Sequence, residues 1–360
     1  MKALFLGDVC PTEETARLFC AQDIAALFGD AVSVFEDRDF TFANLECALT
    51  EHDEEIKKFG PNLKAPRETA EVLKKIGVDC CGLSNNHVYD YGRQGIADTL
   101  QALAEAGIDS TGFGDNYEDS RKSYTVERDG EKICIIAVCE HEYSYALENR
   151  MGSRPYDEYD TIEDIRASRA VHDRVIVIYH GGKEFCRYPS PRLHKLCHAM
   201  ARAGADLVLC QHSHCIGSYE FYHNCHILYG QGNFHFVRPK NSFAGWHTAL
   251  AVEYDTRTGE IGFVPLKSLE HGICLAAGEE KEEILRSFEA RNQTLLSGEW
   301  RQGWRNFCEE NREAYTKVIR ESCLEESTER QNGKFSHFLD CEAHTDVWRE
   351  LFPSDNLTNP

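Results

Sequence analysis

The feature that most constrains the fold is a regular alternation between short apolar segments and segments with the apolar spacing of helices. Residues 40–45 and 175–179 have the length and apolar character of buried strands, whereas residues 14–28 and 191–203 have helical spacing. Strands that are separated by helices of this length pair mostly in parallel. The chain is therefore predicted to be an α/β protein.

Two regions depart from this alternation. Residues 122–127 and 132–138 flank the dipeptide Asp129-Gly130, which is typical of a hairpin turn. After residue 225 the predicted strands follow one another without intervening helices, which indicates antiparallel pairing. These strands are expected at residues 226–229, 249–254 and 261–266.

The last part of the chain has a different composition. From residue 279 to about residue 329 it is rich in Glu and Arg and helical in pattern, and the tryptophans at 300, 304 and 348 suggest packing against another surface. We therefore expect a main domain over residues 1–275 and a helical C-terminal extension over residues 276–360, packed on the main domain.

The charge balance narrows the possible partners. The chain of 360 residues has 39 Lys and Arg against 60 Asp and Glu, which gives a formal net charge of -21. Such a protein repels phosphate backbones and anionic lipid surfaces, so nucleic acid is not an expected partner. An anionic small molecule or polymer stays compatible with this charge, because bound divalent cations reverse the local field.

The cysteines and the N-terminus indicate the compartment. The apolar run before Asp8 is too short for a signal peptide, and no segment approaches the roughly 18 apolar residues of a membrane span. The 16 cysteines form no CxxC pair, and several lie within apolar strand patterns. We therefore expect mostly buried thiols and a cytoplasmic location, and the sequence carries no indication of the oligomeric state.

Polar side chains directly follow almost every predicted strand. In open parallel sheets, ligands bind beyond the carboxyl ends of the strands. One such residue often only caps the next helix, but recurrence at successive strands indicates a shared site. The residues are Asp8, Asn44, Glu46, Asn85, Asn86, His87, Asp90, His180, Glu184, His212, His214 and Asn233. Carboxylate, amide and imidazole donors suit one or two ions of Mn²⁺, Fe or Zn²⁺.

Two histidine pairs receive different interpretations. His212 and His214 are two residues apart, and on an extended chain both imidazoles would point to the same side, toward one metal. His194 and His198 are four residues apart in the middle of a predicted helix, away from the strand ends. We interpret the second pair as structural.

The ordered motifs resemble those of the CapA-type, poly-γ-glutamate capsule biosynthesis proteins, which have a calcineurin-like metallophosphatase fold. The resemblance covers roughly residues 1–270 and implies an α/β sandwich of mixed sheets flanked by helices. It is carried by GDV at 7–9, NLE at 44–46, SNNHVYDYG at 84–92, HGGKE at 180–184, GADLVLCQHSH at 204–214 and GQGNF at 230–234.

This resemblance implies roles for individual residues. Asp8 would bind the first metal, Glu46 would bridge, and Asn86 and His180 would bind the second metal. The remaining ligands would be His212 and His214, one on each ion. His87 would be the general acid, with Asp90 as its orienting partner. Contacts to the substrate or to the ligand side chains would come from Asn44, Asn85, Glu184 and Asn233.

The sequence departs from the usual metallophosphatase pattern at two positions. Cys10 stands where the first motif commonly has histidine, and Glu46 stands where the second has aspartate. Cys10 is either a thiolate ligand or a packed neutral thiol, and we favour the packed thiol.

The resemblance implies a metal-dependent hydrolase, foremost a phosphoesterase. Two alternatives use the same residues. One is a non-hydrolytic capsule-assembly component that holds polyglutamate or another carboxylate-rich polymer through the metal site. The other is a hydrolase of peptide or γ-glutamyl bonds that uses the ions as Lewis acids.

Overall fold

The structure, a computed structural model, describes residues 1–140, 142–322 and 326–353. The strands are β1 (Lys2–Val9), β2 (Phe40–Leu45), β3 (Ala48–Leu49), β4 (Lys64–Ala65), β5 (Cys80–Gly82), β6 (Asp109–Thr111), β7 (Phe113–Gly114), β8 (Tyr124–Arg128), β9 (Glu131–Cys139), β10 (Gly152–Ser153), β11 (Arg174–His180), β12 (Leu207–Gln211), β13 (Tyr219–Tyr222), β14 (Cys225–Leu228), β15 (Asn233–His235), β16 (Thr248–Asp255), β17 (Ile261–Ser268) and β18 (Ile273–Leu275). The α-helices are α1 (Ala16–Cys20), α2 (Ile24–Phe28), α3 (Thr69–Lys75), α4 (Gly92–Ala106), α5 (Tyr117–Ser120), α6 (Glu158–Arg169), α7 (Pro191–Ala203), α8 (Gly278–Ser297), α9 (Trp300–Ser322), α10 (Glu329–Asp340) and α11 (Glu342–Leu351). Short 3₁₀ helices lie at Gly29–Phe35, Glu142–Ser144 and Ala244–His247.

Fourteen of the strands given above form two mixed sheets, and the other four form two short pairs, β3 with β4 and β7 with β10. The larger sheet has the order β18-β17-β16-β1-β2-β5-β6, and β15 also pairs with β1. Its members β1, β2, β5, β6 and β15 run parallel, whereas β16, β17 and β18 are antiparallel. The smaller sheet has the order β13-β14-β12-β11-β9-β8, with antiparallel strands only at its two edges.

Successive residues of a strand alternate between two apolar layers. Phe5 of β1 lies in the core between the sheets, together with Ile176 of β11, whereas Leu4 and Leu6 pack beneath the helices on the outer face of the larger sheet. Val175 of β11 packs beneath α7 on the outer face of the smaller sheet. This period of two gives both sheets two buried faces, and the molecule is a sandwich of mixed sheets flanked by helices, as predicted.

Two local predictions were only partly confirmed. Residues 14–28 form two short helices, because Gln22 adopts a left-handed backbone (φ 53°) and Asp23 caps a new helix by accepting a hydrogen bond from the Ala26 amide. The strand near residue 226 is antiparallel to β13 but parallel to β12. It reverses direction after β13 through His223 and Asn224, whose positive φ angles suit a tight hairpin turn.

The C-terminal helices pack on the rest of the chain and on one another. α8 packs against β13 and β17, with Phe288 buried in the core between the sheets. α9, α10 and α11 enclose a separate apolar cluster around Trp304 and Phe338. The start of α7 anchors α11, because Ser190 Oγ and Arg192 Nε donate to Asp346 at 2.6 and 2.9 Å. Within the described ranges, no helix combines the length and apolar character needed to cross a bilayer.

Candidate metal site

The carboxyl ends of β1, β2, β11 and β12 meet at one edge of the sandwich. Asp8 lies beside Asn44 across the β1–β2 pair and beside Asn233 across the β1–β15 pair. His180 ends β11, and His212 directly follows β12. All five side chains are buried, so residues that are distant in sequence share one interior space.

A first group of donors consists of Asp8, Glu46 and His180. His180 Nε2 lies 3.2 Å from Glu46 Oε1, and His180 Nδ1 lies 3.7 Å from Asp8 Oδ1. One ligand atom of each residue lies within 4.8 Å of the others, which is a spacing that one ion can span. Asn86 joins this group, because its Oδ1 is 2.8 Å from His180 Nε2.

A second group consists of Glu46, His212 and His214, with the same spacing between its ligand atoms. His212 Nδ1 lies 4.0 Å from Glu46 Oε1, and His214 Nδ1 lies 3.8 Å from Asp8 Oδ2. Glu46 is common to both groups. The residues therefore offer the layout of two adjacent cation sites that share one carboxylate.

Glu46 shows that the donor set fits a cation. Its side chain is fully buried, yet neither carboxylate oxygen has a hydrogen-bond partner among the described residues, because the contact with His180 lacks hydrogen-bond alignment. Burial raises the pKa of Glu46 above its ordinary value. Native proteins rarely bury a carboxylate in this way unless a cation or a hydrogen bond compensates.

The ionisation of the other donors follows from burial. Burial, and then the nearby Glu46 carboxylate, raise the pKa of Asp8 to about 6. Burial lowers the pKa of His180 to about 4. The His180 imidazole is therefore neutral at pH 7, which is the form that coordinates a metal, while the two carboxylates repel each other in the absence of a cation.

The backbone conformation that places His212 and His214 in the site was not predicted from the sequence. Both residues have left-handed backbone conformations, with φ angles of 77° and 54°, so the expectation of an extended chain was wrong. The turn directs the His212 amide toward Asp8 Oδ2, at 3.2 Å. Non-glycine residues adopt this conformation at a cost, and such strain commonly accumulates at functional sites.

Three asparagines position the donors. Asn44 Nδ2 donates to Asp8 Oδ1 at 2.7 Å and lies 3.1 Å from His180 Nδ1, and its own Oδ1 accepts a bond from Asn85 Nδ2. Asn233 Oδ1 accepts a 2.8 Å bond from His214 Nδ1, so His214 Nε2 is the ring nitrogen that could bind an ion.

His87 lies beside these donors without belonging to either group. Its Nδ1 donates to Asp90 Oδ2 at 2.7 Å, and Asp90 also forms an ion pair with the buried Lys58 ammonium. Lys58 Nζ lies 3.2 Å from both His87 Nδ1 and the Asn86 carbonyl oxygen. Burial, and then the Lys58 charge, lower the pKa of His87. No pattern in the sequence indicated Lys58, because it lies in an irregular loop.

A cavity of about 370 Å³ opens onto the site. Asn86, His87, Glu184 and His212 line it, and Glu184 Oε1 lies 3.9 Å from His214 Nε2. Other lining residues come from the loop around residue 59, from the 3₁₀ helix Glu142–Ser144 and from α10 and α11, which the sequence did not place near the site. The remaining lining residues include Lys58, Phe59, Tyr143, Lys183, Lys334, His337, Cys341 and His344.

Cys10 is buried beside Cys47 and belongs to none of the described donor groups. Burial and the Cys47 thiol raise the pKa of Cys10 well above its ordinary value, which favours the packed neutral thiol.

The α/β sandwich brings carboxylates and imidazoles together around Glu46, whose buried oxygens have no hydrogen-bond partner in the part of the chain that the structure describes. This fold and this site define a candidate metal-binding protein. The chain belongs to the PGA_cap family of bacterial capsule synthesis proteins, whose family model matches residues 2–238. It is 29% identical over 280 residues to the capsule biosynthesis protein CapA of Bacillus anthracis, covering 74% of this chain and 67% of that protein. It is 28% identical over 281 residues to the PGA biosynthesis protein CapA of Bacillus subtilis, covering 74% and 71%.

Further matches are more distant. A probable polyglutamine synthesis accessory protein of Mycobacterium tuberculosis is 28% identical over 221 residues, covering 57% of this chain and 58% of that protein. Among solved structures, a hypothetical protein from Thermus thermophilus aligns with a TM-score of 0.43 at 17% identity, covering 74% of this chain and 98% of that one. The 5'-nucleotidase from Candida albicans aligns with a TM-score of 0.42 at 10% identity, covering 96% and 58%.

Proposed function

We propose that this protein is a divalent-metal-dependent hydrolase that acts on phosphoesters. The observation that carries this proposal is Glu46, a fully buried carboxylate whose oxygens accept no hydrogen bond among the described residues while Asp8, His180 and two further imidazoles surround it. Membership of a capsule synthesis family supports a role in making or processing an anionic capsule polymer.

The residues that would hold the ions divide into two sets around Glu46. The mixed oxygen and nitrogen donors suit Mn²⁺, Fe or Zn²⁺, in one or two positions. When bound, such ions supply Lewis acidity toward a phosphoryl oxygen and lower the pKa of a coordinated water. The proposed ligands are Asp8, Glu46, Asn86, His180, His212 and His214.

His87 is the proposed proton donor to the leaving oxygen of the substrate. Asp90 accepts the bond from His87 Nδ1, which fixes the ring so that Nε2 is the nitrogen available for proton transfer. Lys58 and Asp90 form a buried ion pair, so the charge of Asp90 is partly compensated and the His87 imidazole releases its proton more readily. This arrangement separates proton transfer from metal binding.

The cavity favours an anionic substrate despite the overall charge of -21. Lys58, Lys183 and Lys334 all line it, and the ions expected at its base add further positive charge. Its volume lies within the range of about 300 to 1,000 Å³ for small-ligand sites. A phosphoester, or the end of a longer anionic polymer, matches this size and charge.

A second candidate function is binding of polyglutamate without hydrolysis. The names of the relatives support it, because they describe PGA biosynthesis and a probable accessory role in polyglutamine synthesis. The same lysines and metal ligands would then hold carboxylates of the polymer.

The test is hydrolysis of an aryl phosphate monoester and diester by metal-stripped protein supplied with Mn²⁺. We expect turnover that requires the ion and is abolished by Asp8→Ala and by His212→Ala. His194→Ala is the matched control, because His194 lies on α7 in a separate group with Glu220 and should leave turnover intact. Equal turnover in all variants would refute the proposal.

The same preparations distinguish the alternatives. Metal-dependent binding of polyglutamate with no ester hydrolysis would support the binding function, and release of glutamate from a defined oligomer would identify a γ-glutamyl hydrolase.

A further inference from the structure

A third group of potential ligands lies in the C-terminal helices, outside the residues that match the family model. His337 is on α10, Cys341 lies between α10 and α11, and His344 is in the first turn of α11. One ligand atom of each lies within 4.8 Å of the others. The junction between α10 and α11 therefore brings the three side chains together.

The backbone at Cys341 helps to assemble this group. Cys341 has an extended conformation (φ -79°, ψ 119°) and serves as both the end of α10 and the cap of α11. Its amide donates to the His337 carbonyl oxygen, and its carbonyl oxygen accepts from the His344 amide, both at 3.0 Å. The two helices are thereby joined without a loop, with the cysteine at the corner.

Neighbouring aromatic side chains orient both imidazoles. His337 packs between the rings of Phe59 and Tyr143, with each centroid 5.6 Å away. His344 stacks on Phe338 with a centroid distance of 3.8 Å. Its Nδ1 lies 2.7 Å from Tyr315 Oη, which holds the ring in a fixed orientation. Fixed ring orientation of this kind is typical of metal-ligating histidines.

The donor chemistry differs from that of the site around Glu46. A thiolate with two imidazoles is a softer set, suited to Zn²⁺ and Co²⁺, whereas Mn²⁺ prefers carboxylate oxygens. Three protein ligands leave a fourth tetrahedral position for water or a ligand group. All three residues line the same cavity as His87 and His212, so that position would be accessible from the cavity.

The group formed by His194, His198 and Glu220 does not carry an equivalent inference. Glu220 Oε1 already accepts bonds at 2.8 Å from His198 Nε2 and at 2.7 Å from Tyr229 Oη. His198 also stacks on Tyr222 with a centroid distance of 3.7 Å. The hydrogen bonds of Glu220 and the stacking of His198 are typical of a structural side-chain network, which agrees with the structural interpretation of the histidine pair.

We propose that His337, Cys341 and His344 form a Zn²⁺ site in the cavity wall, distinct from the site around Glu46. The site binds zinc through one thiolate and two imidazoles and holds α10 and α11 against the cavity. The proposal does not depend on hydrolase activity, since it concerns metal binding by a different set of residues.

The experiment is a Co²⁺ titration of the metal-stripped, reduced full-length protein, followed by optical absorption. We expect a thiolate-to-cobalt charge-transfer band that saturates at one ion per chain and disappears when Zn²⁺ is added. Cys341→Ala should abolish the band. Cys308→Ala is the matched control, because Cys308 is a buried thiol of the same helical cluster but not of the ligand group, and it should retain the band.

Two further variants keep the outcome interpretable. His337→Ala removes a half-buried ligand and leaves the thiolate in place, so it should weaken cobalt binding at least about tenfold while the band persists. Glu46→Gln should leave the band unchanged, whether or not the protein hydrolyses phosphoesters. Absence of the band from the unmodified protein, or its persistence in Cys341→Ala, would overturn the proposal.

Discussion

Replacing Glu46 by Gln should stabilise the metal-free protein and remove its stabilisation by metal. In the absence of a cation, Glu46 is a buried charge whose oxygens lack hydrogen bonds within the described chain, and it repels Asp8. Glutamine has nearly the same shape but no charge. The substitution should therefore remove an unfavourable contribution to the free energy of folding, which the unmodified protein keeps because the charge is needed to bind the ion.

The magnitude follows from the pKa of Asp8. Its rise from 3.8 to about 6 corresponds to about 3 kcal/mol, with burial as the larger cause and Glu46 as the next. Glu46→Gln removes both the repulsion between the two carboxylates and the cost of desolvating the Glu46 charge. It should therefore raise the free energy of unfolding by about 1–3 kcal/mol at pH 7.5. With an unfolding entropy of about 2.1 cal/mol/K per residue, this raises Tm by about 1–4 °C.

Asp8 and Glu46 should make stability depend on pH in the direction opposite to that of most carboxylates. Because folding raises the pKa of Asp8 and of Glu46, the folded state retains protons that the unfolded chain has released. The stabilising contribution of Asp8 is complete below its unfolded pKa and is lost as the pH rises through about 6, and that of Glu46 is lost in the same direction, as the pH rises through its own raised pKa. The advantage of Glu46→Gln should therefore be present at pH 7.5 and largely absent at pH 4.

The assay is thermal unfolding by circular dichroism, with EDTA and with Mn²⁺. At a free Mn²⁺ concentration of 100 times Kd, the unmodified protein should gain about 2.7 kcal/mol, whereas Glu46→Gln should gain little. Glu140→Gln is the matched control, because Glu140 is an equally buried carboxylate that is paired with Arg192 and Tyr179. It should be destabilised. If Glu46→Gln lost stability in EDTA to the same extent, the assignment of Glu46 as an uncompensated metal ligand would be refuted.

Three further predictions follow from the same site. His87→Ala should reduce turnover by about 10²–10⁴-fold and leave the Mn²⁺ affinity unchanged in calorimetric titration; a loss of metal would contradict its role as proton donor. Asn233→Ala should weaken Mn²⁺ binding about 10–100-fold, because His214 loses the acceptor that orients it, and an unchanged affinity would argue against this. Lys183→Ala should raise KM for an anionic ester more at low than at high salt, with kcat unchanged; an effect independent of salt would exclude an electrostatic role.

The sequence was most informative where local patterns repeat. The strand at residues 40–45 and the helix at residues 191–203 have the bounds that their apolar spacing predicts. Parallel strands end at a common edge, so the sequence alone assigns polar residues after successive strands to one region. Asp8, Glu46 and His180 belong to this set of residues, and the structure brings them together.

The sequence was not informative where the backbone conformation or a distant segment decides the geometry. The extended conformation expected for His212 and His214 was wrong, because both residues are left-handed. Lys58 reaches Asp90 from an irregular loop that has no periodic signal. Neither feature leaves a local pattern in the sequence, since each depends on contacts with residues far along the chain.

The sequence by itself therefore determined the alternation of strands and helices and the strand ends that supply the donors, because apolar spacing is a local property, whereas the sandwich of mixed sheets was expected from the family resemblance. Only the tertiary structure decided that the oxygens of Glu46 lack hydrogen-bond partners among the described residues and that α10 and α11 form a wall of the cavity. The physical reason is that an amphipathic helix encodes which of its faces is buried, but not which surface it covers.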